Sequence, residues 1–153
     1  MASTRNSRLV RAPREAVYRA LIDPEAIVRR RFPEGMRCEV HSFEPREGGA
    51  FRVSLTYEAP TGAGKSSAQT DTYAGHFSRL VPDREVVEAI EFETDDPQLA
   101  GEMTMTTVLS DAAGGTEVAV LHEGIPPGVS TEANELGTRM ALDNLAALVE
   151  DRA

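Results

Sequence analysis

The chain has 153 residues, which fits one domain of residues 1–153 that can bury a core without a disulfide or a structural metal. With 25 acidic residues against 16 Lys and Arg, its net charge of -9 would repel a phosphate backbone, so we expect no nucleic-acid partner. A single cysteine, Cys38, excludes an internal disulfide and predicts a reducing, cytoplasmic location. No apolar run approaches the roughly 20 residues of a membrane helix, so we expect no membrane partner.

The first elements are a strand and two short helices. Residues 8–12 alternate as a strand does, and Pro13 suits the first position of a helix. Asp23 and Pro24 end that helix, and Asp23 is placed to cap a second short one. The order therefore begins β-α-α.

Six strands are predicted next, at residues 37–43, 50–58, 70–80, 84–94, 101–110 and 116–123. Gly, Pro and Asp turn signals separate them, and residues 59–68 predict a flexible hairpin loop. Because no helix intervenes, an antiparallel meander is expected rather than parallel crossovers. The predicted fold class is α+β, with the order β-α-α-β6-α.

The last element, at residues 130–150, has a helical period and an uneven apolar face. Its first half offers small or polar residues, namely Asn134, Gly137, Thr138 and Ala141. Its second half offers Leu142, Leu145, Leu148 and Val149. Small residues opposite a curved sheet leave space, so we predict a ligand cavity beside the first half of this helix.

The predicted cavity lining combines the inner faces of the strands with the small residues of the helix. The predicted ligand-binding residues are Phe51, Val53, Leu55, Tyr57, Tyr73, Phe77, Met103, Met105, Val120, His122, Asn134, Gly137, Thr138 and Ala141. Tyrosine can pack its ring and offer its hydroxyl to a ligand, and methionine suits a shape-tolerant cavity.

Two of the inward positions carry acid–base groups. Glu88 alternates with Val86 and Ile90, and His122 alternates with Val118 and Val120. Carboxyl and imidazole groups in an apolar interior are the candidates for catalysis. Two alternatives stay open: a strand slipped at a bulge would expose Glu88, and His122 can be satisfied by a backbone carbonyl or a hydroxyl.

Standard catalytic and metal-binding patterns are missing from the sequence. The histidines His41, His76 and His122 fall on three different predicted strands, without zinc spacing. Cys38 and His41 would lie on opposite faces of one strand, which is poor geometry for a thiol nucleophile and its base. We therefore predict no metal and no cofactor.

Several local patterns agree in order and spacing with those of a known family. They are residues 11–21 (RAPREAVYRAL), Asp23-Pro24-Glu25, residues 47–51 (EGGAF), Gly75 before Pro82-Asp83-Arg84, residues 114–118 (GGTEV), residues 122–125 (HEGI) and residues 137–148. In these the chain resembles the branch of activator-of-heat-shock-protein-ATPase homologues (AHSA type) within the START and Bet v 1-like (SRPBCC) superfamily.

The resemblance implies a helix-grip fold, in which a curved antiparallel sheet encloses the C-terminal helix and a hydrophobic cavity. It also implies binding or transformation of lipids, sterols, polyketides and similar molecules. This branch often has tryptophan near the second short helix and after the glycine of the last helix. Here the chain has no Trp, and Thr138 follows Gly137, so ligand identity does not carry over.

Three functions follow as hypotheses. The first is a protein that binds a small hydrophobic or amphipathic molecule without catalysis. The second is an enzyme of the polyketide cyclase, dehydratase or hydrolase kind that uses Glu88 and His122. The third is a chaperone-associated interaction module. A homodimer is an open alternative to a monomer, since no residue marks an interface.

Overall fold

The computed structural model describes residues 2–26, 36–57 and 70–150. The elements are β1 (Ala2–Val10), α1 (Arg14–Leu21), β2 (Met36–Phe43), β3 (Ala50–Tyr57), β4 (Thr70–Val81), β5 (Glu85–Phe92), β6 (Met103–Ala112), β7 (Gly115–Ile125) and α2 (Thr131–Glu150). Residues 24–26 are helical, and the Asp23 carboxylate accepts a hydrogen bond from the Glu25 N–H at 2.9 Å, as expected of a cap. The rest of the predicted second helix and the predicted loop at 59–68 lie outside the described residues.

The seven strands form one antiparallel sheet in the order β1-β7-β6-β5-β4-β3-β2. Strands β2 to β7 follow each other as a meander, and β1 joins the last of them, so β1 and β2 are the two edges. The sheet curves around α2, which confirms the predicted helix-grip fold. No helix in the described part of the chain is both long enough and apolar enough to cross a bilayer.

The first strand begins earlier than the sequence indicates. Alternation predicted residues 8–12, whereas β1 runs from Ala2 to Val10 and pairs with β7 along its whole length. Its inward residues include the buried Thr4 and Val10, and its outward residues are mostly polar. Residues 2–7 carry too few apolar side chains to signal a strand, and pairing with β7 is what makes them extended.

The core lies between the inner face of the sheet, α1 and the second half of α2. Leu145 and Ala146 are each 1% exposed. At the β3–β4 end of the sheet, the Phe77 ring packs at 5.4 Å from Phe43 and 5.2 Å from Phe51. This aromatic cluster closes one end of the interior.

Gly75 on β4 allows the chain to pass closely over its neighbour. A Cβ atom at this position would lie 1.8 Å from the backbone oxygen of Ala89. The sheet therefore requires glycine here, between Phe51 on β3 and Ile90 on β5.

Candidate functional site

A cavity of about 270 Å³ lies between the inner face of the sheet and the first half of α2. Strands β3 to β7 supply its floor, α2 supplies its roof, and Leu21 of α1 and Val129 contribute at its sides. The predicted space beside the small residues of the last helix therefore exists.

Strand pairing places Glu88 and His122 in one line of paired residues that runs across the strands on the cavity floor. Met105 on β6 is the direct partner of Glu88 on β5 and also of His122 on β7. Partners in a sheet point to the same face, so all three side chains face the cavity that they line. With about 4.8 Å between strands, the Cα atoms of Glu88 and His122 are about 10 Å apart.

The polar groups of the floor are deeply buried. Glu88 is 5% exposed and His122 is 6% exposed, and neighbouring Thr107 on the next row is 3% exposed. A register shift does lie beside Glu88, between Phe77 and Arg79 of the neighbouring β4. It does not expose Glu88, because β5 pairs with β6 without a shift from Glu85 to Ile90. A carboxyl group and an imidazole thus share one apolar cavity.

The first half of α2, which forms the roof of the cavity, leaves unfilled space at Gly137. A Cβ atom added there would meet nothing within 4 Å, and both Gly137 and Ala133 border the cavity while being exposed. The hydroxyl of the next residue, Thr138, donates to the backbone oxygen of Asn134, one turn earlier, at 2.7 Å. The Thr4 hydroxyl donates to the side-chain oxygen of Asn134. The first half of α2 is thus tied to β1 at Asn134 and leaves space at Gly137.

Nine residues predicted as ligand-binding lie in the cavity wall. They are Leu55, Tyr73, Met105, Val120, His122, Asn134, Gly137, Thr138 and Ala141. Glu88, predicted only as a catalytic candidate, lines the same wall. The geometry therefore brings both acid–base candidates together with most of the predicted lining.

Four predicted lining residues lie elsewhere. Phe51, Val53, Phe77 and Met103 are buried in the packed core and do not line the cavity. Phe51 and Phe77 fill the interior together with Phe43, and Met103 pairs with the buried Ile90. Alternation identifies the inward face but not how far along the strand the cavity extends. The side chain of Tyr57 lies outside the described part of the chain.

The prediction also missed eight residues of the wall. They are Leu21, Phe92, Thr107, Val118, Val129, Ala133, Leu142 and Leu145. Phe92, Thr107 and Val118 share the alternation of residues that were identified, and Leu142 and Leu145 were assigned to the buried face of the helix. Ala133 shares the apolar face of the helix with Gly137, one turn away, although it was not included among the predicted lining residues. Nothing in the local sequence marks Leu21 or Val129 as lining.

The other residues considered for metal binding or catalysis do not form a site in the described part of the chain. No three His, Cys, Asp or Glu side chains among the described residues are grouped so that they could hold a metal ion. Cys38 is buried in the core, whereas the His41 Nε2 lies 2.8 Å from Ser54 Oγ on the opposite face. The pairing of β2 with β3 is irregular between Val40 and Ser42, next to this histidine. Cys38 and His41 therefore cannot act as a nucleophile and its base.

Solved structures with the same fold come from several bacteria. A protein from Chromobacterium violaceum is 32% identical, with a TM-score of 0.85, and the match covers 98% of this chain and 99% of that one. A protein from Rhodobacter sphaeroides is 21% identical, with a TM-score of 0.81 and coverage of 99% and 93%. An AHSA1-like protein from Aeromonas hydrophila is 17% identical, with a TM-score of 0.77 and coverage of 99% and 94%.

The sequence itself matches a family profile over nearly its whole length. The profile is described as Activator of Hsp90 ATPase homolog 1-like protein, and it matches residues 11–150. No curated protein sequence matches the chain significantly. Its fold agrees with the Bet v 1-like superfamily to which the resemblance in its motifs points. The chain therefore belongs to the Activator of Hsp90 ATPase homolog 1-like protein family.

Proposed function

We propose that the protein binds a small, largely apolar molecule in the cavity between the sheet and α2. The observation that carries the proposal is the space of about 270 Å³ beside Gly137, where the helix provides no side chain to fill it. An interior normally packs to high density, so a void of this size at one half of a helix needs an occupant or a function.

The chemistry of the wall supports an apolar ligand. Most wall residues are aliphatic or aromatic, such as Leu55, Phe92, Val118 and Val120, and few polar groups lie among them. This combination is typical of small-molecule sites, in which apolar contacts give affinity and a few polar groups fix the orientation. Proteins of the family commonly bind hydrophobic ligands.

The proposal is tested by measuring thermal stabilisation of the protein by a panel of hydrophobic compounds. Gly137→Trp should fill the cavity and abolish the response, because a ring at this position would point into the open space. Leu136→Trp is the matched control, since Leu136 is 54% exposed and does not line the cavity. An equal response of wild type and Gly137→Trp would reject the site. Mass spectrometry of solvent extracts of the purified protein would identify a co-purifying ligand.

A second candidate is an enzyme that uses Glu88 and His122 as acid and base on a polyketide-like or aromatic substrate. The observation in its favour is that both groups line one cavity and flank the same residue, Met105. General acid–base catalysis needs two such groups within reach of one bound molecule.

Proton exchange gives a direct test of this candidate. The two-ring ketone 2-tetralone loses an α-proton to a base while an acid stabilises the enolate, and in D₂O the proton is replaced by deuterium. Nuclear magnetic resonance should show faster exchange with wild type than with Glu88→Gln or His122→Asn. Glu91→Gln and His76→Asn, at exposed positions of β5 and β4, are the matched controls. Equal rates for all five proteins would eliminate the enzymatic candidate.

A further inference from the structure

The buried threonines of the described chain differ in how their hydroxyl groups are used. Hydrogen bonds to other residues are formed by the hydroxyl groups of Thr4, Thr72, Thr116 and Thr138. Thr107 is the exception: it is 3% exposed, and no hydrogen bond joins its hydroxyl group to another of the described residues. Buried polar groups without a partner are rare and cost free energy, so a partner from outside the chain is expected for this hydroxyl.

Thr107 lies on the floor of the cavity. Its side chain lines the space of about 270 Å³, and its partners on the two neighbouring strands are the buried Val86 and Val120. Valine offers no hydrogen-bonding group in its side chain. The cavity is therefore the place from which a new partner can reach the hydroxyl group of Thr107.

Two contacts fix how α2 lies over this part of the sheet. The hydroxyl group of Thr4 donates to Asn134, and Arg8 forms an ion pair with Asp143. The line of paired residues that starts midway between them on β1 passes through β7 to Thr107 on β6. This line therefore crosses the sheet beneath residues 134–143 of α2, which is the segment that leaves unfilled space.

The volume limits the size of the ligand. An engineered protein cavity of about 150 Å³ accommodates benzene. The cavity here, at about 270 Å³, is less than twice that size. One ring or two fused rings fit this space, and a four-ring sterol or a long acyl chain does not.

We infer that the hydroxyl group of Thr107 is a hydrogen-bonding anchor of the cavity, and that the ligand is a molecule of one or two rings whose carbonyl or hydroxyl oxygen binds to it. This inference rests on the proposed binding function and adds a residue that orients the ligand and the chemical class of that ligand. A threonine hydroxyl donates to a carbonyl oxygen, and it either donates to or accepts from a hydroxyl group.

The first test compares tetralin with 2-tetralone, which has the same two-ring skeleton and one added carbonyl group. Isothermal titration gives the ratio of the two affinities for each protein. Thr107→Val replaces the hydroxyl group by a methyl group of similar size, so the preference for 2-tetralone over tetralin should fall about five- to tenfold. Thr106→Val makes the same change on the opposite face of β6, outside the cavity wall, and should leave the ratio unchanged. The same ratio in wild type and Thr107→Val would overturn the inference.

Infrared spectroscopy tests the hydrogen bond directly. Donation from a hydroxyl group weakens the C=O bond, so the carbonyl stretch of 2-tetralone bound to wild type should lie at lower frequency than in hexane. The shift should disappear in Thr107→Val and persist in Thr107→Ser, which keeps the hydroxyl group. A hexane-like frequency in wild type would overturn the inference without any variant, and so would an unchanged shift in Thr107→Val.

The stability of the protein without ligand gives an independent measurement. Thr107→Val removes a hydroxyl group that has no partner, so it should raise the melting temperature. Thr116→Val is the matched comparison and should lower it, because the Thr116 hydroxyl donates to the backbone oxygen of Ala12 at 2.8 Å. Equal losses in the two variants would mean that the Thr107 hydroxyl is bonded within the protein, which would overturn the inference.

The outcomes separate this inference from the proposed function. If both probes bind wild type, Gly137→Trp abolishes binding and Thr107→Val leaves the affinity ratio unchanged, the cavity binds ligands but Thr107 is not the anchor. If only four-ring sterols or long acyl chains bind, the size class is wrong and the binding function stands. If neither these probes nor the panel of hydrophobic compounds binds, both proposals fail.

Discussion

The hydroxyl group of Thr4 on β1 donates a hydrogen bond to the side-chain oxygen of Asn134 on α2. This bond joins residues 130 positions apart and ties the edge strand to the half of the helix that borders the cavity. Thr4 is 6% exposed and the bond is partly buried, so loss of its hydroxyl would leave the Asn134 oxygen without this donor where access to water is reduced.

Thr4→Val should therefore lower the free energy of unfolding by about 0.5–1.5 kcal/mol. Urea denaturation of Thr4→Val, Asn134→Ala and the double variant would give the coupling energy of the pair, which we expect to be about 1 kcal/mol. Additive effects of the two substitutions would show that the bond contributes nothing to stability.

Replacing the glycine of α2 by alanine should stabilise the protein. Gly137 lies within a 20-residue helix, and an added Cβ meets no atom within 4 Å. Alanine removes the entropic cost of glycine, so Gly137→Ala should raise the free energy of unfolding by about 0.5–1 kcal/mol. Chemical denaturation measures the change, and a destabilised variant would mean that the position is sterically closed.

The same substitution on β4 should have the opposite effect. A Cβ at Gly75 would overlap the backbone oxygen of Ala89 at 1.8 Å and lie 3.0 Å from the Phe51 ring. Because the obstacle is backbone in a paired strand, the sheet cannot relieve the overlap by rotating a side chain. We expect Gly75→Ala to lose about 3 kcal/mol or more of stability, by the same denaturation assay. A loss below about 1 kcal/mol would contradict the close approach of β4 and β5.

Alkaline pH should destabilise the protein through Tyr18 on α1. Burial raises the pKa of the Tyr18 phenol, and the negative charges of Asp83 and Glu47 raise it further. A folded-state pKa above the unfolded value of about 10 means that this contribution to stability is fully present below pH 10 and is lost as the pH rises through the folded-state pKa.

The wild-type free energy of unfolding should therefore fall more steeply above about pH 10 than that of Tyr18→Phe, which has no phenol at this position. Ultraviolet titration of the two proteins gives the matching spectroscopic difference, since phenolate formation by Tyr18 should occur later than in free tyrosine. Parallel stability curves for the two proteins would refute the link.

The strands and the uneven helix could be predicted because their signals are local. Alternation placed Glu88, Met105 and His122 on inward faces, and the small residues at Gly137 and Thr138 indicated where space remains. Each of these signals needs only a few neighbouring residues, because side-chain direction in a strand or helix follows from the period of the backbone.

The relations between elements could not be read in this way. Glu88 and His122 share Met105 as a partner because of the registers of two strand pairs. Turns and bulges set those registers. The exclusion of Phe51 and Phe77 from the cavity depends on how their rings meet Phe43 across three strands. The strand at residues 2–7 depends on pairing with β7, far along the chain.

The gap under Gly137 makes the folded state sensitive to its surroundings. Any molecule that occupies it binds the native chain and not the unfolded one, so saturation at about 100 times the dissociation constant would add about 2.7 kcal/mol to the stability. Cellular proteases degrade the unfolded fraction, and a shift of this size changes steady-state abundance severalfold. The amount of this protein in a cell would then rise and fall with the supply of the compound that fits beneath its last helix.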